Sequence, residues 1–377
     1  MKMDQKDKIQ LFYDPSNAKI LQKALDNKLL TEATFHPSLL IFNGHLQTLA
    51  ISIQNPRLQS KLKPHINFTR EMFKMQDGGT IALDWANYKE VTQSEREKRP
   101  ILAMIPGLSG DSYQSYIISV VMEAEKYNYQ TVVINYRGGG GFKITSPKLY
   151  CAGSSECFRE AVNYIYNKHC LDKDGHKNRD MFMMGTSLGA NILGKMIGED
   201  GNNCKLTAAV CFQPPMKLWI SNEYIRDGLY GLYATHFGKR QCERVMEHID
   251  EIQEPYLKEF NLDAKQAISE VRVIADLDTK FTSIVNGFGT LENYYDKASC
   301  VHKLPGISIP TMMLFAEDDP IIGKRSIGYE ECYKNPHILL ATTKRGGHTG
   351  YYESLISPEC WFQKPVIQFL NSFRKDL

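Results

Sequence analysis

The sequence predicts an α/β protein with a mostly parallel central sheet flanked by helices and a helical cap insertion. Three observations carry that expectation. From residue 68 onward, short apolar or β-branched runs alternate with stretches of helical spacing. Such alternation builds a parallel sheet with helices on both faces. The length, 377 residues, suits one large domain with insertions or two domains. The apolar and charged fractions, 42% and 23%, are those of an ordinary globular chain, which excludes disordered, fibrous and disulfide-scaffold proteins.

Residues 1–65 read as an irregular N-terminal arm packing on the body, with a short helix at 17–25 and an Asn43-Gly44 turn signal within 36–53. Runs at 68–75 and 80–86 flank Asp77-Gly78-Gly79, a hairpin pattern. Residues 101–105 are a short apolar run ended by Pro106-Gly107, as in a buried strand. Helical spacing follows at 113–127, then a β-branched strand at 131–136. The stretch 154–169 opens on serine with Glu156 in its first turn, a helix start. A strand at 181–184, a helix at 188–197 and a strand at 207–212 continue the rhythm. Strands at 310–315 and 338–342 and a helix at 361–373 complete it. Residues 217–299 interrupt it with a helical pattern rich in charged and aromatic residues. The expected division is therefore an arm at 1–65, a core at 66–216 and 300–377, and a cap at 217–299. Ligands in open α/β sheets bind at the carboxyl ends of the strands, where such a cap would roof the pocket.

Lys plus Arg number 45 and Asp plus Glu 43, so the formal charge is +2 and nothing points to nucleic acid. The nine cysteines are scattered and never spaced C-x-x-C, which fits free thiols in a reducing compartment. No group of His, Cys, Asp and Glu shows metal-ligand spacing, so no metal and no cofactor are expected. The first ten residues lack the apolar core of a signal peptide. No run approaches the roughly 18 apolar residues that span a bilayer. A cytoplasmic protein is expected, with peripheral membrane contact left open and the oligomeric state unread.

The most informative stretch is Met181-Phe182-Met183-Met184-Gly185-Thr186-Ser187-Leu188-Gly189. It reads as a strand, G-x-S-x-G, and then a helix. A serine on that sharp turn needs strained backbone angles, and glycines on either side remove the Cβ atoms that would clash. The bland alternative is a glycine-rich turn that happens to hold serine. In the strand–turn–helix setting, Ser187 is the nucleophile candidate, and the Leu188 N–H at the helix start is an oxyanion donor. A serine hydroxyl needs a base, and the chain order in such folds is serine, acid, histidine. His302, His337 and His348 lie late enough in the chain. His348, in the loop Gly346-Gly347-His348-Thr349-Gly350 after the last strand, is preferred. For the acid, Glu317-Asp318-Asp319 follow a strand, and Asp319, just before Pro320, is chosen over Asp318 and Glu317. The loop Pro106-Gly107-Leu108-Ser109-Gly110 offers the Leu108 N–H as second oxyanion donor.

These residues resemble a known group of the α/β-hydrolase fold. It contains α/β-hydrolase-domain proteins one, two and three, the plant embryogenesis-associated hydrolases and the yeast medium-chain ester enzymes. Asn43-Gly44-His45-Leu46-Gln47-Thr48, Asp84-Trp85, Tyr136-Arg137-Gly138, the 185–191 stretch and Tyr294-Tyr295-Asp296-Lys297-Ala298-Ser299 carry the resemblance, together with the loops already quoted. It covers the chain from about residue 36 to the end. It implies that Ser187, Asp319 and His348 take the triad places. It also implies hydrolysis of carboxylic esters: short- and medium-chain acyl esters, monoacylglycerols or phospholipids. Thr186 stands where many members have a larger residue, and no anchor like that of animal members is seen, which bears on substrate size and location.

Other readings compete. An acyltransferase would use the same acyl-serine with an alcohol as acceptor. A non-catalytic lipid-binding protein would have lost Ser187 or His348. The glycines at 138–141 lack the Lys-Ser/Thr of a phosphate loop and read as a turn. His45 reads as a packing residue that fixes the arm to the body. Trp219, Tyr230, Tyr233, Phe237, Tyr294 and Tyr295 read as cap core, with some lining an acyl pocket.

Overall fold

The protein is seen in a computed structural model that describes residues 8–89, 91–357 and 359–376. Among the described residues the strands are β1 (Gln10–Phe12), β2 (Ile66–Lys74), β3 (Thr80–Tyr88), β4 (Ile101–Ile105), β5 (Gln130–Ile134), β6 (Met181–Thr186), β7 (Ala208–Phe212), β8 (Thr311–Ala316) and β9 (Ile338–Thr343). They form one sheet in the order β1-β9-β8-β7-β6-β4-β5-β3-β2. The run from β5 through β4, β6, β7 and β8 to β9 is parallel. The β2–β3 hairpin joins β5 antiparallel, and β1 closes the other edge antiparallel to β9, pairing Phe12 with Leu340.

Alternation along the central strands makes two cores. Ile101, Ala103 and Ile105 enter one apolar cluster with Met181 and Met183; Leu102 and Met104 enter the other with Phe182 and Met184. Every residue of β4, β5, β6 and β7 is buried, as expected of strands covered on both faces. The principal helices of the body are α1 (Gly44–Leu62), α2 (Ser115–Lys126), α3 (Glu156–His169) and α4 (Leu188–Asp200). Between β7 and β8 the chain runs through helices, chiefly α5 (Leu218–Asp227), α6 (Leu232–Met246), α7 (Ile249–Phe260) and α8 (Leu291–Ala298). Helices α6 and α7 contribute Val245, Ile252 and Tyr256 to a separate apolar cluster with Leu277 and Phe281, whereas α8 packs Tyr294, Tyr295 and Ala298 into the first core. Helix α9 (Gln363–Asn371) follows β9 and covers the second core with Val366, Ile367, Phe369 and Leu370.

Three expectations need correction: the irregular arm, the turn at Asn43 and the serine cap of α3. The arm is not irregular, because α1 occupies 19 of its residues. Asn43 is the helix N-cap rather than a turn residue: its side chain accepts the Leu46 N–H at 2.9 Å. β1 is also part of the sheet, though three residues carry no legible strand pattern. Ser154 does not cap α3; Ser155 holds the N-cap position and makes no side-chain cap bond.

Candidate active site

The site is built where β6 ends. Ser187 sits at φ 53°, ψ −119°, between β6 and the first residue of α4. A Cβ on Gly185 would fall 2.4 Å from the Gly189 oxygen, and one on Gly189 would fall 2.4 Å from the Pro106 oxygen. Only glycine fits either place, which explains the spacing of the motif. The Ser187 N–H donates to the Phe212 carbonyl at 2.8 Å and ties the turn to β7.

Three side chains form a continuous chain of hydrogen bonds. His348 Nε2 lies 2.8 Å from Ser187 Oγ, and His348 Nδ1 lies 2.8 Å from Asp319 Oδ2. Asp319 Oδ1 accepts the N–H groups of Ile321 and Ile322 at 2.8 and 2.9 Å. Asp319 and His348 are 3% and 8% exposed, so the chain is dry except at its serine end. The competing residues lie elsewhere. His302 pairs with Asp296 and is exposed, and His337 bonds Asn335. Glu317 takes Lys324 and the Tyr329 hydroxyl. Asp318 accepts the Gly347 N–H at 2.9 Å, and burial raises its carboxyl to about 6.

Leu108 and Leu188 line the same cavity as Ser187. The loop that carries Leu108 is pinned. Tyr136 donates its hydroxyl to the Pro106 carbonyl at 2.7 Å, and the Gly107 N–H donates to the Tyr116 hydroxyl at 3.0 Å. Ser109, at φ 57°, accepts a hydrogen bond from Gln241 Nε2 of α6, whose Oε1 accepts the Tyr150 hydroxyl at 2.9 Å.

The loop that carries His348 is also clamped. The His348 N–H donates to Thr48 Oγ1 at 2.9 Å, and Thr48 donates to the Gly44 carbonyl at 2.7 Å. Gln213 spans the histidine: its Nε2 donates to the Gly347 carbonyl and its Oε1 accepts the Thr349 N–H. Sequence reasoning missed Gln213, Gln241 and the role of Thr48. Only Thr48 left a signal, as the last residue of the Asn43–Thr48 run. His45 bonds not the body but the insertion, with Nδ1 3.0 Å from the Tyr233 hydroxyl of α6.

The cavity has a volume of about 790 Å³ and opens onto Ser187 and His348. Its walls come from α1 (Leu49, Ile51), the Leu108 loop and the helices between β7 and β8. Tyr233, Phe237, Tyr294 and Tyr295 line it; Trp219 instead stacks on His302, and Tyr230 is fully exposed. All nine cysteines are free. Among the described residues, Asp172, Asp174 and His176 bring ligand-type atoms within 4.8 Å of one another, a grouping that spacing alone did not reveal. They are exposed, and Asp172 accepts the backbone N–H groups of Asp174 and His176, which accounts for the turn. No described helix is long and apolar enough to cross a membrane.

Sheet order, strained serine turn and helical insertion together define an α/β-hydrolase. No family model matches the chain. It is 30% identical to the monoacylglycerol lipase of Saccharomyces cerevisiae over 376 residues, covering 90% of this chain and 80% of the relative. It is 26% identical to mouse phospholipase ABHD3, covering 90% and 78%. The Pyrococcus furiosus esterase Pf2001 shares the fold, with a TM-score of 0.50 and 13% identity over 84% of this chain and 92% of that one. The chain belongs to the α/β-hydrolase family, in the group that holds the yeast lipase and ABHD3, and it is a carboxylic ester hydrolase.

Proposed function

We propose that this enzyme is a serine hydrolase acting on carboxylic esters of short- to medium-chain acyl groups, including lipid esters such as monoacylglycerol or phospholipid. The observation that carries the reading is the hydrogen-bond chain Asp319–His348–Ser187 at the cavity wall. Ser187 Oγ gives its proton to His348 Nε2 and attacks the ester carbonyl carbon. The carbonyl oxygen gains negative charge and is met by the N–H groups of Leu108 and Leu188, the latter at the positive end of the α4 dipole. The imidazolium passes its proton to the alkoxide oxygen, the alcohol leaves, and an acyl-serine remains. Water, deprotonated by the same imidazole, attacks the acyl carbon and frees the acid and Ser187. Asp319 accepts the Nδ1–H throughout, which holds the tautomer and stabilises the imidazolium.

Residues 217–299 act as a cap, and the 1–65 arm supplies one wall through α1. The names of the yeast and mouse relatives support an acyl-lipid substrate. A cavity of about 790 Å³ falls in the range of small-molecule sites. The test is labelling by a fluorophosphonate probe together with hydrolysis of p-nitrophenyl octanoate. Wild type labels and turns over; Ser187→Ala does neither, with kcat down by about 10⁴-fold or more. A folded Ser187→Ala protein that still labels sinks the assignment.

A further inference from the structure

The cavity contains a carboxyl that the proposed chemistry leaves unused. Asp278 lines the same space as Ser187. It opens a π-helical turn, Asp278–Thr282, set between the helical residues Ile274–Leu277 and Ser283–Val285. Such widened turns are rare and concentrate at functional sites. This one puts Asp278 and Thr282 on the cavity wall beside Tyr295. The Tyr295 hydroxyl donates to Asp278 Oδ2 at 3.0 Å, and its neighbour Tyr294 is fixed by accepting the Ala152 N–H at 3.1 Å.

The Asp278 residue is 9% exposed. Burial raises its carboxyl to about 6, and the groups that pull it back are the neutral hydroxyls of Thr282 and Tyr295. A buried carboxyl held by hydroxyls, with no ion pair to it among the described residues, is expensive, and an acyl chain laid against it gains nothing. A group that donates a hydrogen bond to it does gain. Resting on the ester-hydrolase reading above, we propose that Asp278, with Thr282 and Tyr295, forms a socket for a free hydroxyl of the substrate ester. That hydroxyl belongs either to the alcohol portion, as in a glyceryl ester, or to the acyl chain.

The test compares kcat/KM of the full chain on ethyl octanoate, 1-monooctanoylglycerol and ethyl 8-hydroxyoctanoate. The socket gives wild type a preference of about tenfold or more for one of the two hydroxyl esters over ethyl octanoate, the scale of a hydrogen bond to a charged group. The preferred ester identifies which portion carries the hydroxyl. Asp278→Leu brings the ratio close to one, and Tyr295→Phe lowers it in part. Asp278→Asn keeps the shape with a weaker acceptor, so it narrows the ratio severalfold even if the leucine variant fails to fold. An equal rate on all three esters in wild type overturns the socket, as does a ratio untouched by Asp278→Asn. A wild type that neither labels with fluorophosphonate nor cleaves any ester overturns the hydrolase reading itself, and the socket falls with it.

Discussion

Two adjacent carboxyls, Asp318 and Asp319, differ in what they face, and that difference separates their effects. Asp319 meets imidazole and two backbone N–H groups; Asp318 meets the Gly347 N–H and has a buried, unpartnered Oδ2. Asp319→Asn presents an amide to Nδ1 and favours the wrong tautomer, so kcat drops by about 10⁴-fold with KM little changed. Asp318 acts on stability. Its folded pKa of about 6 lies above the ordinary value near 3.9 of an unfolded chain. Its contribution is therefore fully present below about pH 4 and is lost as pH rises through about 6. Asp318→Asn keeps an acceptor for Gly347 and removes that loss. Its Tm rises relative to wild type at pH 8, and the gap closes toward pH 4. A gap that does not move with pH contradicts this account. The sequence distinguished the two aspartates only through Pro320 and the apolar pair after Asp319. Gln213, which holds the same loop from the end of β7, left no trace, because a glutamine after an apolar strand has no local signature.

At the scale of elements, α1 joins the arm to the loop that carries His348. A Cβ on Gly44 would fall 1.9 Å from the Asp318 carbonyl oxygen, so the helix start presses directly on the strand end after β8. Thr48, one turn along, receives the His348 N–H. Thr48→Val removes that acceptor at nearly constant volume. It should lower kcat by about five- to tenfold, the worth of one neutral hydrogen bond, with KM for p-nitrophenyl octanoate nearly constant. Thr48→Ser should restore the rate. An effect confined to Tm, with kcat intact, would show that Thr48 only packs. The body strands were legible from short apolar runs bounded by Pro, Gly and charge. α1 was not, for a physical reason: Asn-Gly serves turns and helix starts alike, and Pro56 lies inside the helix without ending it. β1 is three residues long and gains its order from β9, a partner no local pattern announces.

For the whole molecule, the cavity draws its walls from α1, the ends of β4 and β6, the helices between β7 and β8, residues 150–152 and the loops that carry Ile321 and His348. Each buried CH₂ of an acyl chain adds roughly 0.8 kcal/mol until the space is full. On p-nitrophenyl esters, kcat/KM should rise from acetate to a maximum between butyrate and decanoate and fall by palmitate, unaltered by EDTA. A flat series, an optimum at acetate or loss of activity with EDTA would rule out the acyl pocket described here. The interrupted strand–helix rhythm at 217–299 raised the expectation of a roofed pocket, and residues of that stretch line the cavity. Its lining did not, since pairs such as His45 with Tyr233 and Gln241 with Ser109 join residues far apart in sequence.

The β1–β9 pairing has a bearing on how the enzyme comes into being. A ribosome makes Gln10–Phe12 before the other described strands, and the partner strand Ile338–Thr343 only after the whole insertion has been made. On the proposed mechanism the same delay bears on the chemistry, because the Ser187 turn is synthesised well before the loop that carries His348. Contacts of such wide sequence separation close late, after the local hairpins and strand–helix units have formed. Until then the second core lacks β9 and α9, and its apolar face is open to other chains. On the proposed mechanism, ester cleavage thus waits for the part of the chain that is made last of the three triad elements, the loop after β9.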